Sequence, residues 1–291
     1  MPAETAGLWY GLLGVLSFSL TLPATRVAVA ALDPTVVGLG RALLAALVAG
    51  LLLTATRQRR PSRAEWRSLA IVACGVILGF PFLSAWALRQ VPAAHGAIVI
   101  GLLPLATALV ATLRGGERPS RMFWLAGLAG SAAVVGFALI SGAGGLHAAD
   151  LALLGAVAAG AVGYAEGGRL ARSLGGWQVI CWALVLAAPF ISLPVGLALW
   201  QHGAAAPPLA WLCFGYVALI SQLFGFFAWY HGRALGGVAR VSQLQLLQPF
   251  LTLVASALLL GEHVTLATIG VALVVVAAVA VGRRAPVARP G

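Results

Sequence analysis

The sequence predicts an all-α integral membrane protein of ten transmembrane helices, arranged as two inverted five-helix repeats. Three observations predict it. Apolar runs of membrane-crossing length recur along the 291 residues. Arginines gather in alternate connections between those runs. A Pro…Gly-Glu pattern appears twice, half a chain apart.

The composition sets the class. Hydrophobic residues make up 61% of the chain and charged residues only 9%, with a mean hydropathy of +1.00. Soluble domains carry about a quarter charged residues. So much apolar surface finds its solvent in a bilayer rather than in water. The net charge of +11 would suggest nucleic acid in a soluble protein. Here all 18 basic residues are arginine, and nearly all lie between apolar runs, so membrane topology accounts for them instead. Cys74, Cys181 and Cys213 each sit in an apolar stretch with no CxxC spacing, which predicts packing residues and no disulfide or metal site. The N-terminus carries Glu4 and no basic residue before the first apolar run, which differs from a cleaved secretory signal, with Ala28–Val29–Ala30 as the one stretch that resembles a cleavage site.

About 20 apolar residues cross a bilayer as a helix. Ten spans are predicted in order: 7–28, 35–55, 68–88, 93–113, 122–141, 150–170, 178–199, 210–230, 238–260 and 265–281. With the N-terminus in the cytoplasm, fifteen of the arginines fall in cytoplasmic connections or the C-terminal tail. Only Arg26 and Arg89 fall outside, and Arg41 lies within the second span. The positive-inside bias therefore sets both the span count and the orientation, with both termini cytoplasmic in a bacterial inner membrane.

The repeat sets the architecture. Pro104 precedes Gly116–Glu117, and Pro249 precedes Gly261–Glu262; both Pro-to-Glu separations are 13 residues, and the copies are offset by 145. Thr107 and Thr252 coincide at the same offset. Residues 1–145 and 146–291 are thus two related units. Five spans per unit is odd, so the second enters the membrane inverted, an architecture that recurs in secondary transporters.

These residues resemble the EamA family of the drug/metabolite transporter superfamily. The matching stretches read LLPLATALVATLRGGE and LLQPFLTLVASALLLGE, once per half, with FSLTLPATRVAV at residues 18–29 similar to the family's first helix and Arg41 similarly placed in the second. Ser17 and Phe18 stand where the family usually has a Trp-Gly-type pair. The resemblance implies ten helices, a central cavity and transport of a small metabolite, with export of amino-acid-like compounds or toxic metabolites favoured.

Span 9 carries the clearest candidate site. Ser242, Gln245, Pro249, Thr252 and Ser256 recur at spacings of 3 and 4 and share one helical face, with Gln248 beside it. Glutamines in hydrocarbon need a partner or water. The stripe is expected to line a cavity, with interhelical glue as the alternative. Thr107 is its counterpart in the first half. Pro104 and Pro249 remove a helix hydrogen bond mid-span and are expected to act as hinges or to open the cavity. Arg41 suits a planar anion, or else a structural ion pair. Tyr164, Trp86, Trp182 and Trp229 are candidate cavity-lining aromatics.

Glu166 and His95 are the candidates for proton coupling. For Glu166 the competing expectation is an intrahelical pair with Arg169, and for His95 an interfacial position. Glu117 and Glu262 are expected to cap the helices that follow them. GxxxG pairs at Gly7/Gly11, Gly75/Gly79, Gly163/Gly167 and Gly232/Gly236 predict close helix contacts. No GxxxxGK[ST], HExxH or Ser–His–Asp pattern occurs, so neither ATP-driven transport nor an enzyme is expected, and no metal or cofactor. The expected function is a secondary transporter of a small polar or amphipathic solute, an exporter working by alternating access. The alternatives are a translocator of lipid or hydrophobic compounds and, more remotely, a membrane-embedded enzyme. The expected partners are the bilayer and a small molecule, with a second copy of the chain as an option.

Overall fold

In a computed structural model that describes residues 3–114, 118–141, 147–236, 243–284 and 287–288, helix occupies most of the described part of each predicted span. The segments are α1 (Ala3–Ser19, continued by Thr21–Val29), α2 (Val36–Ala55), α3 (Arg63–Leu88), α4 (Ala93–Ile100, continued by Leu103–Arg114) and α5 (Arg121–Ser141). They continue with α6 (Ala148–Leu174), α7 (Gly176–His202), α8 (Pro208–Gly236), α9 (Gln248–Leu260, led by a 3₁₀ turn Gln243–Leu247) and α10 (Leu266–Arg284). Among the described residues, six of these helices are long and apolar enough to cross a bilayer: α1, α2, α3, α6, α7 and α8. Shorter apolar helices cover Ala93–Thr107, Gln248–Leu260 and Leu266–Ala278.

Several helices are locally rewound. α3 holds a π-helical stretch at Ala73–Gly79 and α8 another at Tyr216–Phe224. Shifting the first by 145 residues lands inside the second. α2 opens with a π stretch at Val36–Gly40. Such stretches are unusual and recur at functional sites, because the wider turn leaves carbonyls free to face a neighbour or a ligand.

The packing follows a five-helix shift. α1 lies along α8 and α6 along α3, so the first helix of each half meets the third helix of the other. α2 pairs with α7, α4 with α9 and α5 with α10. Glycine permits the closest of these contacts. A Cβ on Gly232 would stand 2.6 Å from the Gly11 amide nitrogen and 2.8 Å from the Gly7 carbonyl. One on Gly75 would overlap the Ala159 carbonyl and stand 2.8 Å from the Gly163 nitrogen. The GxxxG pairs therefore sit at helix contacts, as expected. Two apolar clusters fill the bundle, and Tyr164 touches both.

Large apolar side chains cover the outside. Leu47, Leu51, Phe190, Leu212, Leu258 and Leu266 are all exposed, a surface suited to hydrocarbon rather than water. Trp9, Trp124 and Trp200 are exposed near helix ends, as interfacial anchors would be.

The connections group into two sets. At one end of the bundle, Arg26 donates to the Leu88 carbonyl, Asp33 stands 3.8 Å from His202, and Glu262 meets the start of α4. At the other, Arg59 bonds Glu65 and the Ser173 carbonyl, and Gln178 bonds Gln58. Residues Arg118–Pro119 pair with Val287–Ala288 in a two-residue antiparallel bridge. In every case the partners are ends that alternating crossings place on the same face.

Candidate functional site

Two adjoining cavities lie between the halves. Each holds unfilled space, about 450 Å³ and 390 Å³, part of it continuous with the outside. Leu22, Ile100, Leu103 and Gln248 line both and form the partition between them.

The larger cavity is a polar cluster inside an apolar shell. Arg41 contributes the charge, at the junction where the π stretch of α2 passes into regular helix. Its residue is only 3% exposed, and its Nε has no hydrogen-bond partner. Among the described residues it makes no ion pair. Thr21 on α1 and Ser221 on α8 share a hydrogen bond of 2.7 Å between hydroxyl oxygens. Gln222, beside Ser221 in the π stretch of α8, donates at 3.5 Å to the Val76 carbonyl in the π stretch of α3. That contact is at the long limit, so the amide retains capacity for another partner. Tyr164 and Gln248 complete the polar side, while Phe18, Phe80 and Phe226 supply ring surface.

The smaller cavity is lined by α4 and α9. Gln245, Gln248, Pro249 and Thr252 face Ala97, Ile100 and Pro104. The helix breaks just before each mid-span proline: at Gly101–Leu102 ahead of Pro104, and at the 3₁₀ turn Gln243–Leu247 ahead of Pro249. Each proline thus opens a new helical segment, where its missing N–H is least costly. Neither can donate to the carbonyl four residues earlier, and those residues, Ile100 and Gln245, both line the cavity.

The span 9 stripe divides into parts. Gln245, Pro249 and Thr252 reach the cavity. Thr252 also donates to the Ser19 carbonyl at 2.8 Å, filling the gap left where α1 breaks at Leu20. Ser256 is fully buried, with no partner for its hydroxyl, and lies away from the lining. Ser242 lies outside the described residues. Thr107 does not reach either cavity; its hydroxyl donates to the Leu103 carbonyl of its own helix at 2.7 Å. Of the aromatic candidates only Tyr164 lines a cavity. Trp86 faces outward, and Trp229 packs over Phe18 and Gly14.

The two candidates for proton coupling also lie apart from the cavities. Glu166 is buried and paired with Arg169, which in turn donates to Ser68 at 2.9 Å. His95 is buried near the start of α4, with Nε2 2.6 Å from the Asp150 carboxylate. Asp150 also accepts from the His147 backbone amide, capping α6.

Glu262 departs from its expectation. It caps α4, in the other half, and not the following helix α10: its two carboxylate oxygens accept from the backbone amides of Ala93 and Ala94 at 2.8 and 2.9 Å. Gly261 makes this reach possible, ending α9 in the left-handed conformation at φ 64°. Glu117 lies outside the described residues.

Sequence reasoning missed Thr21, Ser221 and Gln222. A glutamine within the apolar run YVALISQLF was the available signal.

The sequence profile described as the EamA-like transporter family matches this chain twice, over residues 5–141 and 147–282. The chain belongs to that family. As an EamA-like transporter it is 47% identical over 285 residues to the "Uncharacterized transporter YdeK" of Bacillus subtilis (strain 168), covering 98% of this chain and 99% of the relative. It is 30% identical over 284 residues to the "Probable terminal-alkyne amino-acid exporter" of Streptantibioticus cattleyicolor, covering 95% and 93%. A solved crystal structure shares the fold at a TM-score of 0.62, with 19% identity, over 95% of this chain and 97% of the other. The EamA-like transporter is a multi-pass membrane protein that carries a small molecule, and it is not an enzyme.

Proposed function

We propose that this transporter is a secondary carrier that exports a small polar or amphipathic metabolite by alternating access. Ten crossings form two inverted repeats, residues 1–145 and 146–291, with both termini in the cytoplasm of a bacterial cell. The single observation that carries the reading is a polar cavity walled by both halves, with Arg41 from the first and Tyr164 from the second in its lining. The cross-half pairings support it, since they match under a five-helix shift. The grouping of loop contacts into two faces supports the crossing number. The name of the Streptantibioticus relative supports export and an amino-acid-like solute. The polar lining weighs against a translocator of purely hydrophobic compounds.

Gln245, Gln248, Thr252, Arg41 and Tyr164 are the proposed solute contacts, with Pro104 and Pro249 at the bending points. For proton coupling we favour His95 over Glu166, because its partner Asp150 belongs to the other half, whereas Glu166 is held within its own helix.

Counterflow in proteoliposomes tests the carrier. Loading the vesicles with a transported amino acid is expected to accelerate uptake of the labelled compound from outside. Flux that neither saturates nor responds to internal solute would mean a channel.

A further inference from the structure

The larger cavity holds one buried cation and no acidic residue among its lining. Five carboxylates are engaged elsewhere: Asp33 with Thr35, Glu65 with Arg59, Asp150 with His95, Glu166 with Arg169, and Glu262 with the start of α4. Arg41 is therefore a cationic residue only 3% exposed, within a membrane helix, with a buried, unpartnered Nε and no ion pair among the described residues. Burial of that kind is costly unless an anion and its hydrogen bonds offset it. A guanidinium fork matches a planar carboxylate with two parallel bonds.

We infer that Arg41 receives the carboxylate of the transported solute, making the substrate class a small monocarboxylate with an apolar tail. This rests on the carrier reading above and narrows it. The lining beside Arg41 fits the rest of such a molecule. Gln222 and Gln248 offer amide oxygens and N–H groups for an amino or hydroxyl substituent, whereas Phe18, Phe80 and Phe226 provide the apolar wall. The cavity's single positive charge is balanced by one carboxylate. An α-amino group needs only neutral acceptors or ring faces, so both amino acids and their amine-free analogues belong to the class.

The test needs no variant at first. Purified full-length protein is screened by thermal shift against the L-amino acids, their deaminated carboxylates, their amides and their decarboxylated amines. Stabilisation by carboxylates, and its loss in the matched amides and amines, is the expected pattern. Equal stabilisation by amides, or none by any carboxylate, overturns the inference. The best ligand is then titrated against Arg41→Gln and Arg41→Lys. Both are expected to bind about tenfold or more weakly, with lysine losing less, since it keeps the charge and loses the fork. Should Arg41→Gln fail to fold, the lysine variant and the amide comparison carry the decision; undiminished affinity in a folded variant overturns the inference. Counterflow of the same ligand separates the two readings. Arg41-dependent binding without exchange would sink the carrier and leave the anion site standing. Exchange at wild-type rate by Arg41→Gln would do the reverse.

Discussion

Glu262, in the second half, stands 2.8 Å from the backbone amide of Ala93 in the first, closing one end of the bundle with a carboxylate set on a helix N-terminus. The second oxygen takes the amide of Ala94. A negative group at this position satisfies two orphan donors and meets the positive end of the α4 dipole. Glu262→Ala is expected to destabilise the protein by about 1–2 kcal/mol, with Glu262→Gln losing less. Thermal unfolding in detergent measures both. In a cysteine-free background, a disulfide between Ala93→Cys and Glu262→Cys is expected to abolish counterflow, with reductant restoring it. Full exchange by the cross-linked protein would show that this end need not part.

Close helix contact gives a second expectation. Gly75→Ala and Gly232→Ala push a methyl into the backbone of the facing helix, so each is expected to cost about 2 kcal/mol or more and to lower membrane abundance. Gly196→Ala meets open space and should leave abundance unchanged. Immunoblots of membrane fractions make the comparison.

Gln245 and Thr252 line the same cavity yet should behave differently. Gln245→Ala is expected to lower transport at unchanged stability. Thr252→Val removes the bond to the Ser19 carbonyl as well, costing about 1 kcal/mol in addition to transport. Equal melting curves for the two variants would count against this division.

The His95–Asp150 pair is buried between α4 and α6. Asp150→Ala removes a buried carboxylate that both the His95 ring and the His147 amide bond, and a loss of about 3 kcal/mol is expected. If the pair carries protons, counterflow-competent His95→Gln will lose its response to an imposed pH gradient. Identical rates for wild type with and without the gradient would remove that role.

Inverted topology predicts opposite labelling. A single cysteine at Gly116 should react from the cytoplasmic side, and one at Gly261 from the outside. Reaction from one side only would dismantle the two-repeat arrangement.

Much of the fold was legible because it rests on signals that survive in one dimension. The matched Pro and Gly-Glu motifs mark the two repeats directly, and the family profile matches the chain once over each. The glycine pairs foretold where backbones touch. The site was less legible. A 3.6-residue stripe shows which side chains share a face, and this brought out Gln245 and Thr252; it cannot show which face turns toward the other half. At Gln222 the period itself is broken, since α8 is π-helical there. The role of Glu262 is not legible locally, because the helix it caps starts 169 residues away along the chain.

The glycine seams between α1 and α8 and between α3 and α6 have a consequence for how the protein assembles. Neither half can bury its own first and third helices properly; each completes the other like clasped hands. Severed between residues 141 and 147, the two pieces should be degraded when made singly and recover activity when made together.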